Sequence, residues 1–300
     1  VVYSKEKIKK SPEKYIELMK IELDRGNLKM VGVLGRHLTE LKPYNFEIKA
    51  IYSIYYASIN EIEKAELEIK KSEDISGKNK YSLCAEAMIF QAKKMNKEAF
   101  LVCHKAVAMD EEFSYSRNVL GTIYFDMKQY EKAAESFKKA IELFPDFSLG
   151  HTNLGYAYLY SGNNENAVIY FNKAIALNPY AYNARNGLAI VYGKTGKPSL
   201  ALKELQTIQK NKPEFLADGL ERIGTLQLVT GMYDDAFKTG LEMEKKGVPG
   251  AYLILAKSCL LKNDTEKALN YIKMIDEKSA SASYLKGISM MAEGRFEEAL

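Results

Sequence analysis

The sequence repeats itself every 34 residues through its middle, and this period constrains the fold more than any other feature of the chain. Three copies carry a large residue, a small residue and a tyrosine in the same order: Leu120-Gly121-x-x-Tyr124, Leu154-Gly155-x-x-Tyr158 and Leu188-Ala189-x-x-Tyr192. A second set follows in each copy: Ala133-x-x-x-Phe137-x-x-Ala140, Ala167-x-x-x-Phe171-x-x-Ala174 and Ala201-x-x-x-Leu205-x-x-Ile208. These spacings place the apolar residues on one helix face, so each copy predicts two helices of about 13 residues.

Turn and stop residues separate the predicted helices. Glycine or asparagine lies between the two helices of several copies, as at Gly26-Asn27, Gly162-Asn163 and Gly196-Lys197. Proline closes each central copy, at Pro145, Pro179 and Pro213, because it lacks the N–H that would continue a helix. A single helix pair cannot bury its apolar face alone, so the copies must stack on one another.

These residues resemble the tetratricopeptide repeat family. The resemblance implies an all-α fold, a right-handed superhelical solenoid of antiparallel helix pairs. Weaker copies extend the frame in both directions, with repeats that start near residues 12, 46, 80, 114, 148, 182, 217, 249 and 280, the last one incomplete. We therefore expect one elongated domain over residues 12–300, preceded by an exposed helical or extended lead-in at residues 1–11.

The two ends of the sequence suggest a fragment of a longer protein. The chain begins at Val1, and it stops at Leu300 inside a repeat, so a signal or anchor could precede it. We expect residues 280–300 to expose apolar surface at Ile288, Phe296 and Leu300, which sequence beyond Leu300 would cover.

Composition excludes several classes of function. The 43 basic and 39 acidic residues leave a net charge of +4, which gives no electrostatic reason to expect nucleic acid as a partner. No run of 18 apolar residues is present, so the sequence predicts no membrane span. The three cysteines lie in apolar helix patterns, and we expect Cys103 in particular to be buried and reduced. A reducing, cytoplasmic location is the corresponding expectation.

The chain offers little chemistry of its own. Gly193-Lys194-Thr195 resembles part of a phosphate-binding loop, but five residues rather than four separate it from Gly187 and a predicted helix precedes it. We interpret it as a helix end and turn. The three histidines have no metal-like spacing. We therefore predict no catalytic residues, no metal, no cofactor and no enzymatic activity.

In the tetratricopeptide family the first helix of each repeat lines a concave groove, and defined positions of that helix face a bound peptide. Carried onto this sequence, those positions predict a peptide-binding site at Tyr115, Asn118, Thr122, Asp126, Thr152, Tyr156, Tyr160, Asn183, Asn186 and Lys194. Asn118, Thr152 and Asn186 occupy the same position in successive repeats. We expect these side chains to be free of packing contacts, so that alanine at Asn118 and Asn186 would leave folding intact.

One subclass of the family does not fit. Members that bind the carboxylate end of chaperones use a lysine at the fifth position of a repeat. Here that position holds Ile16, Ala50, Cys84, Asn118, Thr152, Asn186, Glu221 and Leu253. A cochaperone role is therefore disfavoured.

The interpretation of function follows from these points. We predict a non-enzymatic scaffold that binds a protein or peptide segment in the concave groove. Two alternatives remain open at this stage. The chain could be the regulatory or targeting region of a larger enzyme or membrane-anchored assembly protein, or it could associate with itself through its end repeats.

Overall fold

The computed structural model describes residues 5–212, 219–275 and 280–292. Within these ranges every regular element is an α-helix, so the predicted all-α fold is confirmed. The helices are α1 (Lys5–Lys10), α2 (Pro12–Asp24), α3 (Leu28–Leu41), α4 (Phe46–Ser58), α5 (Ile62–Ser76), α6 (Lys80–Ala92), α7 (Asn96–Met109), α8 (Ser114–Asp126), α9 (Tyr130–Leu143), α10 (Ser148–Tyr160), α11 (Asn164–Leu177), α12 (Tyr182–Lys194), α13 (Pro198–Asn211), α14 (Gly219–Val229), α15 (Tyr233–Lys245), α16 (Ala251–Leu261), α17 (Thr265–Ile272) and α18 (Ala280–Ala292).

Short turns join consecutive helices into antiparallel pairs. Within each pair from α2–α3 to α16–α17, one residue of the turn has a positive φ: Gly26, Asn60, Lys94, Lys128, Gly162, Gly196, Gly231 and Asn263. The sequence predicts most of these turns from their glycine or asparagine. The positive φ of Lys94 and Lys128 was not predicted from the sequence, because lysine adopts this conformation only at a cost of roughly 1–2 kcal/mol.

A glycine and an aromatic ring lock the two helices of the central pairs together. An added Cβ at Gly121 of α8 would lie 2.5 Å from the Phe137 ring of α9, and one at Gly155 of α10 would lie 2.6 Å from the Phe171 ring of α11. Both rings are fully buried. The glycines therefore let the helix backbones approach closely while the rings fill the remaining space.

In the first repeat, the glycines lie on the second helix and the aromatic rings that cover them lie on a first helix. Gly32 and Gly35 lie on the second helix of the pair, α3, and their surfaces are covered by the rings of Tyr55 and Tyr52 from α4, the first helix of the next repeat. Met19 of α2 is fully buried. The small residue has thus moved to the second helix, and the large residues lie on first helices.

The helices form two compact units, Val1–Ala184 and Arg185–Leu300, where the sequence alone predicts one elongated domain. The lead-in agrees with the prediction except at one residue. Residues Lys5–Lys10 form α1, which contacts α3, and Ile8 is completely buried. Lys7, Lys9 and Lys10 are exposed, as expected of the lead-in, whereas Ile8 is an exception that anchors this helix to the apolar core.

One prediction about an individual side chain has a clear outcome, and a second is tested only at Ile288. Cys103 is a free, fully buried thiol, as predicted, and it takes the repeat position that Phe137 and Phe171 hold later in the chain. Burial raises its pKa to about 12, so the reactive thiolate form is suppressed. At the other end, Ile288 of α18 is partly buried, while Phe296 and Leu300 lie outside the described residues.

Candidate functional site

The ten predicted site residues lie on three first helices. Tyr115, Asn118, Thr122 and Asp126 belong to α8, Thr152, Tyr156 and Tyr160 to α10, and Asn183, Asn186 and Lys194 to α12. Asn186 and Lys194 fall in the second compact unit and the others in the first. Their exposure divides them into a buried group and an accessible group.

Tyr115 belongs to the buried group. Its side chain is 2% exposed, and its ring packs between those of Phe113 and Phe147, with centroid separations of 6.3 and 6.2 Å. Burial raises the pKa of its hydroxyl. The expectation that Tyr115 is free of packing contacts is therefore wrong, since this tyrosine is part of the core.

The turn between α2 and α3 covers one end of α8 and α10. Ser114 Oγ donates a hydrogen bond to Asp24 Oδ1 at 3.1 Å. A Cβ at Gly26 would lie 2.7 Å from both the Phe147 ring and the Leu149 side chain. Burial raises the pKa of the Asp24 carboxyl, and the hydrogen bond from Ser114 opposes that shift. The first repeat thus occupies space next to α8 and α10 that the sequence assigns to a ligand.

Asn118 and Thr152 are also buried, each at 3% exposure. Asn153 Nδ2 of α10 donates to Asn118 Oδ1 of α8 at 2.9 Å, and Thr152 Oγ1 donates to the Ser148 carbonyl at 3.0 Å. Asn118 therefore joins two consecutive first helices. The expectation that these two side chains lack packing contacts is wrong, and an alanine at Asn118 would leave Asn153 without this acceptor.

Thr122 and Asp126 extend this pattern toward α6. Thr122 Oγ1 lies 3.1 Å from Gln91 Oε1, and Gln91 Nε2 donates to Asp126 Oδ2 at 3.0 Å. Gln91 is the partner from the preceding repeat, just as Asn153 is the partner of Asn118 from the following one. Asp126 nevertheless remains exposed and Thr122 partly exposed, so both are accessible from solvent.

Tyr156 and Asn183 belong to the accessible group as well. Tyr156 OH donates to the Asn183 carbonyl at 2.8 Å, and its ring packs edge-on against Phe171 with centroids 5.0 Å apart. Tyr156 is partly exposed and the Asn183 side chain is exposed. The Asn183 amide can therefore still donate to and accept from a ligand.

Tyr160 is the most accessible aromatic residue of the predicted set, at 53% exposure. Its ring lies 5.3 Å from the Phe125 ring of α8 and 5.6 Å from the Tyr130 ring of α9, and the Phe125 and Tyr130 rings are 5.3 Å apart. We call Phe125, Tyr130 and Tyr160 the aromatic triad. Tyr130 was not predicted from the sequence, because it opens a second helix, where groove residues are not expected.

The two predicted residues of the second unit differ from each other. Asn186 Oδ1 accepts a hydrogen bond from Arg222 Nη1 of α14 at 2.7 Å, which links α12 to the next first helix. Lys194 is exposed at the end of α12. Thr195 Oγ1 bonds the Val191 carbonyl at 2.9 Å, so Gly193-Lys194-Thr195 forms the helix end that the sequence predicts.

Neither a metal centre nor a membrane span is found in the described part of the chain. No three His, Cys, Asp or Glu side chains among those residues come close enough to hold a metal ion. None of the described helices is long and apolar enough to cross a bilayer.

Comparison with known proteins supports the repeat frame. Models of the tetratricopeptide repeat match residues 114–147 and 148–181, which are the α8–α9 and α10–α11 pairs with their following turns. Comparison with the curated proteins finds no match.

Solved structures with the same fold include three informative neighbours. PilF of Pseudomonas aeruginosa is 24% identical, with a TM-score of 0.59, over 70% of this chain and 94% of its own. A chain of the APC/C hetero-tetramer Cut9–Hcn1 is 18% identical, with a TM-score of 0.68, over 98% of this chain and 56% of its own. TTC0263, a thermophilic TPR protein of Thermus thermophilus, is 17% identical, with a TM-score of 0.54, over 61% of this chain and 100% of its own.

At these identities the neighbours are evidence for the fold alone. The family matches, the helix pairs that follow the same frame on either side of them, and the structural neighbours agree with one another. Residues 114–181 are two tetratricopeptide repeats, and the described helix pairs share the fold of tetratricopeptide repeat proteins.

Proposed function

We propose that the chain is a non-enzymatic scaffold that holds an extended segment of a partner protein against the accessible side of α8, α10 and the start of α12. The aromatic triad is the observation that carries this proposal. It packs the exposed Tyr160 ring against the partly exposed rings of Phe125 and Tyr130, in the two repeats that match the family models. Tyrosines are frequent anchors in protein interfaces because they combine apolar area with a polar tip.

Polar groups on the same helices suit a peptide backbone. Asp126 and Asn183 are exposed, and Thr122 and Tyr156 are partly exposed. Together they offer hydrogen-bond donors and acceptors beside the rings. We therefore place the contact surface at the accessible group, and we exclude Tyr115, Asn118 and Thr152 from direct contact because they are buried.

Two general points support a protein as the ligand. Tetratricopeptide repeats are generally protein-interaction modules, and one structural neighbour is itself a chain of a hetero-tetrameric complex. Hydrogen bonds also join consecutive first helices: Asn153 of α10 bonds to Asn118 of α8, and Gln91 of α6 bonds to Asp126 of α8. A surface held in place before binding loses little conformational entropy when a segment docks.

The test uses peptides selected on the intact chain from a random 12-residue library displayed on phage. Each selected peptide is measured by fluorescence anisotropy against the wild type, Tyr160→Ala and Tyr44→Ala. Tyr44 is the matched control, since it is a tyrosine of the first unit that is 83% exposed and lies in the α3–α4 turn. Loss of an anchor worth about 2 kcal/mol weakens binding roughly 30-fold.

The expected result is that Tyr160→Ala weakens the selected peptides about 30-fold, while Tyr44→Ala leaves their affinity within about twofold. Equal affinity of the wild type and Tyr160→Ala for every selected peptide would show that the aromatic triad is not the binding surface.

A further inference from the structure

A cleft of about 290 Å³ opens between α5 and α6 in the first unit. Its floor is apolar, formed by Ile69 and Ile89, which are nearly buried, and by part of the Phe90 ring. Its rim is charged. Lys93 Nζ pairs with Glu66 Oε1 at 2.7 Å, and Lys78 Nζ pairs with Glu86 Oε2 at 2.7 Å.

The equivalent junction one repeat later is filled. Adding 34 to the residue numbers of the cleft leads to α7 and α8, where Phe100 stands at the position of Glu66 and Leu120 at that of Glu86. The Phe100 ring contacts the rings of His104 and Tyr124, with centroids 4.3 and 5.6 Å apart. An aromatic ring thus occupies the α7–α8 junction.

The cleft exists because a charged residue replaces that ring. Glu66 pairs with Lys93 at the rim, and its side chain does not fill the space beside Ile69 and Ile89. One further repeat along, Ala134 stands at this position and is buried, with the partly buried rings of Tyr158 and Tyr170 packed against its cluster. Of these three junctions, the one between α5 and α6 carries a charged residue at this position.

We propose that the α5–α6 cleft is a second binding site, which receives an aromatic side chain of a partner protein in the place that Phe100 occupies one repeat later. The site is separate from the aromatic triad and does not depend on the function proposed above. A cavity of about 150 Å³ is enough to take a benzene ring, so the available volume suits a tyrosine or phenylalanine side chain.

The charged rim fits the same occupant. In the neighbouring repeats, lysine ammonium groups lie over aromatic rings, as Lys132 does over Tyr124 at 5.8 Å and Lys138 over Tyr158 at 5.6 Å. Lys93 is half exposed at the mouth of the cleft and can make the same contact with an inserted ring. Its ion pair with Glu66 opposes this only weakly, since exposed pairs contribute about 0–1 kcal/mol.

The test is a titration of the full chain, labelled with ¹³C at isoleucine δ-methyl groups, with N-acetyl-L-tyrosinamide. N-acetyl-L-alaninamide is the control ligand. An inserted ring shifts the methyl signals of Ile69 and Ile89 through its ring current, so the tyrosine compound is expected to give saturable shifts at these two signals and the alanine compound none.

Two substitutions at one position separate filling of the cleft from loss of charge. Glu66→Phe copies Phe100 and should fill the cleft, whereas Glu66→Ala copies Ala134, and both variants remove the ion pair with Lys93. We expect Glu66→Phe to weaken binding by about tenfold or more and Glu66→Ala to leave it within about threefold. Circular dichroism checks that both variants keep their helix content.

Each remaining outcome overturns the proposal. Shifts that never saturate, shifts confined to other isoleucines, or equal shifts with the alanine compound mean that no aromatic side chain enters the cleft. An equal loss of binding in Glu66→Phe and Glu66→Ala means that the Glu66 charge, and not the space, is what the ligand recognises.

Discussion

The first repeat and the two family-matched repeats solve one packing problem in opposite ways. In α8–α9 and α10–α11 the first helix carries the glycine and the second helix the phenylalanine ring. In the first repeat Met19 takes the position of that glycine and Gly35 takes the position of that ring. The space beside Gly35 is filled by the Tyr52 ring of α4. The comparison shows that the repeat conserves a filled volume rather than particular residues at particular positions.

Three other repeats hold different residues at this pair of positions. The pair of positions holds Ser53 and Ile69 in the second repeat, Ala87 and Cys103 in the third, and Ala189 and Leu205 in the sixth. Ala87 and Ala189, each larger than glycine, are paired by position with residues smaller than phenylalanine, whereas Ser53 is paired with Ile69, which is larger than Cys103. Two closely packed helices leave room for one large residue only.

The largest effect is expected when the filling ring is removed. Phe137→Ala should lower the free energy of unfolding by about 3–5 kcal/mol, since a buried ring is lost and a cavity remains. If the reversed packing of the first repeat is equivalent, Tyr52→Ala should lose a similar amount. Urea denaturation followed by circular dichroism measures both, and a loss below about 1 kcal/mol for Tyr52→Ala would break the comparison.

A smaller effect is expected when the glycine gains a methyl group. Gly121→Ala places a Cβ against the Phe137 ring and should cost about 1–3 kcal/mol by overpacking. The double variant Gly121→Ala with Phe137→Leu recreates the alanine–leucine pair of Ala189 and Leu205. It should be more stable than the sum of the two single changes predicts, by about 1 kcal/mol or more.

The double-mutant cycle at positions 121 and 137 tests whether the two side chains share one packing volume. Additive losses in urea denaturation, with no coupling between positions 121 and 137, would mean that the two residues vary independently and that the trade between them is a coincidence of sequence.

The smallest effect concerns the turns. Gly26 opens the turn of the first repeat with a φ of +71°, whereas Lys128 holds the same position in α8–α9 with a φ of +60°. Lys128→Gly removes the strain of a Cβ in this conformation and should raise the free energy of unfolding by about 0.5–1 kcal/mol, as a small rise in melting temperature. A fall in melting temperature would show that the lysine side chain stabilises the turn by more than its backbone strain costs.

The sequence predicts the helix frame well, because the frame depends on local patterns. Pro12, Phe46, Lys80, Ser114, Ser148 and Tyr182 begin helices, and they are the residues at which the 34-residue frame places repeat starts. Period, turn residue and closing proline are all readable within one copy.

The candidate site was predictable only in part, because burial depends on distant residues. Asp24 and Gly26 cover the ends of α8 and α10, and they lie about 90 residues or more before Ser114 and Phe147 in the chain. The sequence identifies Gly26 as a turn residue but not as a contact. Likewise, nothing local to Asn118 reveals that Asn153 bonds to it, and nothing local to Tyr130 reveals that its ring joins Phe125 and Tyr160.

The contact between the α2–α3 turn and α8 also bears on the order in which the chain assembles. Most contacts in a repeat array join neighbouring repeats, so such arrays nucleate at any point and grow outward. The Ser114–Asp24 bond joins residues 90 apart in the chain. Closing so long a loop costs conformational entropy before the contact can form, so we expect this bond to form only after the intervening helices have stacked. We therefore expect the first four repeats to unfold as one cooperative block, with Tyr115 and Phe147 exposed together once this contact is lost.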